Sequence, residues 1–342
     1  MEDMRMATAV KDRVEHAASQ LGVASPLPWV GDLIERSFAL PYGDETYGRN
    51  ALTPGTVPFE PSFSEREPDA LRFTISPLGP GSSPTARRDE STREMRRLTF
   101  GRFGRDAVRW FDERSEDWRG MAGGSQLTYG GWFGSTYDQD GLAAAKVYYE
   151  LSPGQIGALP LPLRRVVEVA RMLIPGLRPV FMSLACRPGE GAQRVTFEHR
   201  GPMRLRDLEP MMAAIGLQHA LPGLMQVVGV ALGGRFMLPP GSTLIGVGAG
   251  RDGLEMKLEV LLGRIPDLPQ EFMDLLALGL AERPGQLRAL NRWLQAFTPA
   301  GARRPGEFSV LSVHAAPQAA PQVSLYLRPF DFEMRDTAGA RR

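Results

Sequence analysis

The stretch AAAKVYYEL, residues 143–151, decides the fold because polar and apolar side chains alternate along it. Lys146, Tyr148 and Glu150 occupy every second position, and apolar or aromatic residues fill the positions between them. In a β-strand, residues two apart share one face. A strand here therefore presents an ammonium, a phenol and a carboxylate on one face and an apolar surface on the other.

The same alternation occurs in four further segments, so about five predicted strands have one polar and one apolar face. In each segment a cation lies on the polar face, and Leu, Ile, Val, Phe or Met occupies the alternate positions within the segment. The segments are 71–76, 194–198, 255–260 and 323–328, and their cations are Arg72, Arg194, Lys257 and Arg328.

Composition bounds the class of protein. The chain has 342 residues, of which 43% are hydrophobic and 23% charged, and its formal net charge is +1. This composition favours a globular protein with a large hydrophobic core. With a net charge close to zero, the protein has no overall electrostatic field that would attract nucleic acid or a membrane surface. The single cysteine, Cys186, excludes an internal disulfide framework and is typical of a reducing compartment.

Targeting signals are not evident. The first 16 residues mix acidic and basic side chains where a signal peptide needs an apolar run, and no stretch reaches the length of a membrane span. We therefore expect a cytoplasmic protein, monomeric or weakly dimeric, with neither nucleic acid nor membrane as partner.

Helical and strand patterns follow one another in a regular order along the chain. Pairs of amphipathic helices precede pairs of strands, about five times at roughly 60-residue spacing. Residues 41–58 read as a loop and 79–90 as a mobile connection, and Ser91 with Glu94 has capping-box spacing. The predicted helices are 8–21, 29–38, 91–118, 161–174, 207–217, 222–232, 267–282 and 286–297.

This order predicts an α+β fold built around a closed, ten-stranded antiparallel barrel. Consecutive hairpins pair with one another, and closure removes the edge strands. The amphipathic helices must cover an apolar sheet face, so they form an outer ring and the polar faces point into a lumen. We expect one barrel domain over residues 1–330 and a frayed tail over 331–342.

The predicted lumen collects five cations, namely those of the four segments above and Lys146. Such a group needs an anion of matching charge, and a diphosphate suits Arg and Lys donors. Tyr148 and Tyr326 add hydroxyls for phosphate oxygens and ring faces that stabilise a nearby cation. Together they suggest an allylic diphosphate ionising inside the barrel. Alternatively, the cations pair with carboxylates on neighbouring strands. These are Glu150, Glu198, Glu255 and Glu259.

Short motifs extend this pattern to a known family. FEPSF at 59–63 and RFTIS at 72–76 are similar to segments of the cyanobactin peptide prenyltransferases, and SLYLRP at 324–329 matches a diphosphate-binding strand of the wider family. With the Lys-x-Tyr of Lys146 and Tyr148, the chain resembles the ABBA-type aromatic prenyltransferases, closest to the cyanobactin type.

The resemblance implies transfer of a dimethylallyl or geranyl group from its diphosphate to a nucleophilic side chain of a cyclic peptide. Glu60 would accept the proton of the acceptor or orient it, and Tyr148 and Tyr326 would shield the allyl cation. Cyanobactin relatives use magnesium, so the resemblance also implies Mg²⁺ bound through the diphosphate, without an assignable protein ligand. Arg72, Lys146, Arg194, Lys257 and Arg328 would hold the diphosphate.

Two alternatives remain open at this point. Within the same fold, the acceptor would be a small aromatic such as an indole, a phenol or a free amino acid. In a different class, the barrel would bind an apolar or anionic ligand without catalysis. The segment at 255–259 departs from the family pattern, because Lys257 stands between two carboxylates.

Two other motifs are better explained as turns. The glycine-rich run 246–253 lies between strands and lacks the following helix that a dinucleotide site needs. Residues 137–141 begin like a calcium loop but lack its terminal glutamate. Cys186 falls on the apolar, helix-facing side of its strand.

Overall fold

A closed barrel of ten antiparallel strands forms the centre of the computed structural model, which describes residues 4–49, 58–119, 127–151, 153–250 and 253–332. The strands are β1 Phe59–Ser64, β2 Leu71–Ile75, β3 Gly131–Asp138, β4 Gly141–Glu150, β5 Leu177–Arg187, β6 Glu190–His199, β7 Met203–Arg204, β8 Met237–Leu238, β9 Thr243–Gly250, β10 Gly253–Leu261, β11 Gly306–Ala315 and β12 Gln322–Pro329. Around the barrel the strand order is β1-β12-β11-β10-β9-β6-β5-β4-β3-β2, and the short β7 and β8 pair separately.

Helices surround the barrel and bury their apolar faces against its outer surface. None of the helices in the described ranges is long and apolar enough to cross a membrane. The α-helices are α1 Met6–Leu21, α2 Leu27–Ser37, α3 Pro84–Phe103, α4 Arg105–Arg119, α5 Leu161–Leu173, α6 Glu209–Ala214, α7 Leu221–Ala231, α8 Phe272–Gly279 and α9 Pro284–Phe297. Short 3₁₀ helices cover Glu45–Arg49, Pro153–Ala158, Leu205–Leu208, Gln218–Ala220, Leu262–Arg264 and Phe330–Phe332.

The alternation in residues 143–151 places polar and apolar side chains on opposite faces of β4, as predicted. Val147 and Tyr149 of β4 are fully buried beneath the outer helices, whereas Lys146 and Tyr148 line the lumen. Cys186 of β5 is likewise buried on the outer face, 3.9 Å from the Ala107 carbonyl oxygen of α4. The barrel, its helical ring and its inward polar faces are thus confirmed.

The helical prediction for 91–118 is wrong in its start and its continuity. The first helix begins at Pro84, where the Ser83 hydroxyl accepts a hydrogen bond from a backbone N–H at 3.1 Å. Ser91 is buried in the middle of this helix and does not cap it. Because the helix begins at Pro84, most of the connection predicted for 79–90 is helical. Gly104, at φ +85°, separates α3 from α4. A better cap, with proline in the first turn, outweighs the capping-box spacing.

Two other predicted helices also differ from the structure. The helix predicted for 267–282 spans only Phe272–Gly279. Asp267, its predicted first residue, is left-handed at φ +55° and therefore cannot belong to a right-handed helix. The helix predicted for 207–217 divides into a 3₁₀ turn and the short α6, and Gly216 at φ +77° ends it. The third repeat contains one α-helix, α5, preceded by a 3₁₀ turn. The pairs of strands therefore repeat more regularly along the chain than the pairs of helices do.

The structure describes the first two residues of the predicted tail, Asp331 and Phe332. Asp331 accepts a hydrogen bond from Arg13 at 2.8 Å, and Phe332 packs on the rings of Phe38, Tyr47 and Phe59. The rest of the tail, residues 333–342, lies outside the described residues, as does the centre of the 246–253 turn.

Gly130, just before β3, provides a stability test. A Cβ there would lie 1.7 Å from the Pro84 carbonyl oxygen, so Gly130→Ala is expected to destabilise through both strain and overlap. Gly81 is a matched control, because its φ of +84° is close to the +82° of Gly130 and a Cβ there has open space. Gly81→Ala should lose about 1–2 kcal/mol of unfolding free energy, and Gly130→Ala about 1–3 kcal/mol more. Urea unfolding midpoints measure both; equal losses would contradict the packing.

Candidate active site

The lumen contains two connected chambers along the barrel axis. The larger, about 450 Å³, lies toward the β-hairpin turns and is called the cationic chamber. The smaller, about 70 Å³, lies toward the opposite end and is called the aromatic chamber. Thr74, Tyr148 and Tyr326 line both. Any molecule that extends from one chamber into the other must pass these two phenol rings.

The lining of the cationic chamber has an excess of positive charge. Five basic side chains and three carboxylates line it, a surplus of two positive charges when Lys146 is protonated. Burying unbalanced charge is costly unless a counter-ion binds. The cationic residues are Arg66, Arg72, Lys146, Arg187 and Arg194, and the acidic residues are Glu67, Glu190 and Glu255.

Lys146 is the least compensated of these cations. Its ammonium lies 4.3 Å from the ring centroid of Tyr148, and within the described ranges no carboxylate forms an ion pair with it. Burial, together with the neighbouring charges of Arg194 and Lys257, lowers the pKa of Lys146 well below its ordinary value. The sequence-based alternative, in which a neighbouring carboxylate neutralises each cation, does not hold for Lys146.

The rim of the chamber carries an ion pair that spans two hairpins. Glu67, in the turn between β1 and β2, accepts a hydrogen bond from Arg187 of β5 at 2.5 Å. Its other carboxylate oxygen lies 3.8 Å from the guanidinium of Arg72. Burial disfavours the charged form of Glu67, but the arginines outweigh it and lower its pKa.

A second carboxylate, Glu255 of β10, holds the opposite side of the rim. It lies 2.9 Å from His314 Nε2, 3.3 Å from the Arg66 guanidinium and 3.7 Å from that of Arg194. Burial alone would raise the pKa of Glu255, but these three partners lower it to about 2. Arg66 and Arg194 are therefore partly neutralised, unlike Lys146.

Aromatic rings form the wall of the smaller chamber. The indole of Trp132 stacks on Tyr148 with centroids 4.8 Å apart and planes at 11°. Phe181 meets the same indole edge-on at 4.6 Å. Ring faces attract cations and exclude water. This wall therefore suits a short-lived carbocation and a flat apolar group beside it.

Glu60 is one of two carboxylates that line the aromatic chamber; the other is Glu259. It is 7% exposed, and its Oε1 accepts a hydrogen bond from the Ser309 hydroxyl at 2.6 Å. Burial raises the pKa of Glu60 to about 7, with the Ser309 hydrogen bond opposing and Glu259 reinforcing the shift. A carboxylate with such a pKa exchanges protons readily near neutrality.

Lys257 is engaged by two neighbours. Its ammonium donates to Glu259 Oε1 at 2.5 Å and also to the Tyr326 hydroxyl. Burial disfavours the ammonium, but Glu259 and Tyr326 outweigh it and raise the pKa of Lys257. Lys257 does not belong to the lining of the cationic chamber.

The structure brings most of the predicted site residues together. Arg72, Lys146 and Arg194 line the cationic chamber, and the two tyrosines lie where the chambers meet. Arg328 lies two residues beyond Tyr326, toward the aromatic end, with its guanidinium 3.9 Å from Glu307. Neither chamber includes Arg328 in its lining, so its predicted contact with the diphosphate stays a prediction.

Sequence reasoning missed several residues that shape these chambers. Alternation along β5 places Arg187 on the inner face with Ser183, and alternation along β3 does the same for Trp132, so the signal for both existed. Arg66 lies in a turn without periodicity. Ser309 faces Glu60 through a bulge between Phe308 and Val310, for which the sequence offers no signal.

A metal-binding group is not found among the parts of the chain that the structure describes, where no three His, Cys, Asp or Glu side chains converge. Two of the three carboxylates that line the cationic chamber, Glu67 and Glu255, form ion pairs with guanidinium groups, so the lining suits an anion. Magnesium bound through the diphosphate, which the resemblance implies, stays a prediction.

Comparisons with known proteins identify the fold. No protein-family model and no curated protein matches the sequence. Among solved structures, 5-dimethylallyltryptophan synthase from Streptomyces coelicolor is similar with a TM-score of 0.72 and 17% identity, over 96% of this chain and 99% of that one. AnaPT from Neosartorya fischeri is similar with a TM-score of 0.66 and 12% identity, over 93% and 91%.

A third structure, 6-dimethylallyltryptophan synthase from Micromonospora olivasterospora in complex with DMASPP and Trp, has a TM-score of 0.73 and 17% identity, over 96% of this chain and 98% of that one. These likenesses do not test the closer resemblance to the cyanobactin enzymes, which stays a prediction. Identity this low shows architecture alone. The chain has the fold of the ABBA-type aromatic prenyltransferases.

Proposed function

We propose that this protein is an enzyme that transfers an isoprenyl group from its diphosphate to an aromatic acceptor. One observation carries the proposal: a chamber with surplus positive charge meets, at two tyrosines, an aromatic chamber that contains a buried carboxylate. The first chamber suits a diphosphate, and the second suits an allyl cation and its acceptor. The solved neighbours include proteins named as dimethylallyltryptophan synthases, which supports this interpretation.

The donor would lie across the junction of the chambers. Lys146 and Arg72 would bind its phosphate oxygens through charge-assisted hydrogen bonds. Its isoprenyl chain would pass Tyr148 and Tyr326. When the C–O bond breaks, its electron pair stays with the diphosphate oxygen, and the ring faces stabilise the allyl cation that remains.

The acceptor would approach from the aromatic chamber. Its nucleophilic atom forms the new bond to the allyl cation, and the proton it then loses goes to Glu60. The pKa of about 7 lets Glu60 take that proton and release it afterwards. Ser309 keeps the carboxylate oriented through its hydrogen bond at 2.6 Å.

The size of the aromatic chamber bears on both substrates. Its volume of about 70 Å³ is much smaller than the 450 Å³ of the cationic chamber, which favours a short donor chain. We therefore propose dimethylallyl as the donor chain and a small planar aromatic, such as an indole or phenol, as the acceptor. A peptide acceptor would have to insert a single aromatic side chain, and the FEPSF resemblance makes this the second candidate.

The proposal is tested by incubating the protein with dimethylallyl and geranyl diphosphates, with and without magnesium. Acceptors are tryptophan, simple indoles and phenols, and a pool of cyclic and linear peptides. Mass spectrometry of the products then shows donor length and acceptor class. We expect a dimethylallyl adduct on a small aromatic, which is seen as a mass gain of one C5 unit. Tight diphosphate binding without any product would favour the non-catalytic barrel, and absence of binding would overturn the assignment of the cationic chamber.

A further inference from the structure

We infer that the turn between β1 and β2 carries a side-chain gate across the mouth of the cationic chamber, formed by Glu67 with Arg187 and by Arg66 with Glu255. The gate opens to admit the isoprenyl diphosphate and to release the diphosphate product, and its residues are not ligands of either. The inference rests on the proposed function for the identity of the molecules that pass.

The gate residues lie closer to the hairpin turns than the cations in the middle of the barrel. Lys146 is opposite Ala185 in the register of β4 and β5, and Arg187 lies two residues further toward the hairpin turn. Two residues of a strand span about 7 Å. Glu255 lies two residues closer to its own hairpin turn than Lys257 does. Both ion pairs therefore lie between Lys146 and the hairpin end of the barrel.

Each ion pair joins the turn to a distant strand. In the closed barrel, β10 lies three strands from β1 in one direction, and β5 lies three strands from β2 in the other. Glu67 Oε1 accepts a hydrogen bond from Arg187 at 2.5 Å, and the Arg66 guanidinium lies 3.3 Å from the Glu255 carboxylate. Contacts between strands three places apart cannot follow the wall of a barrel, so these two cross its opening.

The exposure of the gate residues suits groups that separate and pair again. The side chains of Arg66 and Arg187 are 47% and 46% exposed. Ion pairs between partly exposed side chains are weak, so thermal motion can open them. Both carboxylates remain ionised at neutral pH, because their partners outweigh burial, lowering the pKa of Glu67 and bringing that of Glu255 to about 2.

The backbone of the turn is fixed, so the gate moves by rotation of side chains. Glu65, buried at the start of the turn, accepts hydrogen bonds from the Val323 N–H at 2.5 Å and from Arg283 at 2.8 Å. The Glu67 N–H donates to the Ser64 carbonyl oxygen at 3.1 Å. The turn therefore stays in place while its side chains leave their partners.

A charged donor has reason to use this mouth. The aromatic chamber at the other end has about 70 Å³ and includes the rings of Trp132 and Phe181 in its lining. An anion that passed there would lose its hydration without gaining partners, which is costly. Guanidinium groups line the path from the mouth to Lys146. The donor therefore enters between the two ion pairs, and the diphosphate leaves the same way.

The test measures the rates of binding and release as well as the affinity. Arg66→Gln/Glu67→Gln removes both ion pairs from the turn without changing the net charge. Stopped-flow fluorescence gives the association rate of dimethylallyl thiolodiphosphate, and displacement by excess pyrophosphate gives its dissociation rate. A gate hinders passage equally in both directions, so we expect both rates to rise about three- to tenfold, as for the loss of two weak ion pairs. The dissociation constant should change by less than about twofold.

A second variant tests one ion pair alone. Glu67→Gln/Arg187→Gln also keeps the net charge and leaves Arg66 in place, so both rates should rise in the same way but by less. Glu190→Gln is the charge control, because Glu190 lines the same chamber and forms no ion pair in the part of the chain that the structure describes. It should tighten binding, with faster association and no faster dissociation.

Two results would overturn the inference. Unchanged rates in both double variants would show that the ion pairs do not obstruct passage. A loss of affinity through faster dissociation alone would make the arginines ligands of the diphosphate.

Failure of the proposed function gives a different pattern. If the wild type binds the analogue but modifies no acceptor, the proposed function fails, and the comparison of rates still tests the gate. If transfer occurs and the rates do not change in the variants, only the gate fails. If the wild type does not bind the analogue, the assignment of the cationic chamber fails and the gate fails with it.

Discussion

Glu60→Gln is expected to suppress isoprenyl transfer by about 10²–10⁴-fold, the usual contribution of a positioned base, while leaving diphosphate affinity unchanged. Glutamine keeps the shape of the side chain and a carbonyl oxygen that accepts from Ser309, but it cannot take a proton. Glu60 lines the aromatic chamber and not the cationic one, so the donor should bind as before. Product formation by mass spectrometry and calorimetry with dimethylallyl thiolodiphosphate measure the two effects.

The pH dependence of this reaction gives an independent check. A base must be deprotonated to act, so the transfer rate of the wild type should rise as pH increases through about 7, where burial places the pKa of Glu60. Any residual rate in Glu60→Gln should lack this rise. Glu271→Gln is the control, because Glu271 is an exposed carboxylate that lines neither chamber. If the control loses as much activity, or if the rise persists without Glu60, the base lies elsewhere.

The barrel could be predicted because the alternation of residues within each strand shows which of its faces is polar and which is apolar. A period of two is local, so Lys146 and Tyr148 on one face and Val147 on the other are visible without any tertiary information. The same rule, applied to β3 and β5, would have found Trp132 and Arg187. Inward cations on several strands were therefore the most reliable part of the interpretation.

Partners across the lumen could not be predicted in the same way. Glu259 accepts from Lys257 two residues away, but the Tyr326 contact depends on how β10 and β12 face each other across β11. The bulge that brings Ser309 to Glu60 depends on pairing between β11 and β12. Helix boundaries fail for a related reason, since tertiary contacts can bury a residue such as Ser91 despite its capping pattern.

Lys146→Met is expected to weaken binding of dimethylallyl thiolodiphosphate about ten- to hundredfold, because it removes a charged hydrogen bond worth about 1.5–3 kcal/mol. Lys146 is the cation whose charge the described residues compensate least. Methionine keeps the length and apolar volume of the side chain, so the barrel should remain folded. Arg200→Met removes an exposed cation beyond the last residue of β6 and serves as the control. Equal affinity losses in both variants would show a general effect of net charge instead of a site.

Proton uptake distinguishes Lys146 from the arginines of the chamber, which stay charged throughout the accessible pH range. Burial and neighbouring cations lower the pKa of Lys146 in the free protein, and a bound diphosphate must raise it again by supplying the missing negative charge. Binding should therefore consume a proton at pH values between the free and bound pKa, and affinity should fall as pH rises through the free one. Calorimetry in two buffers of different ionisation enthalpy detects this uptake directly. Uptake that persists in Lys146→Met would assign the proton to another group.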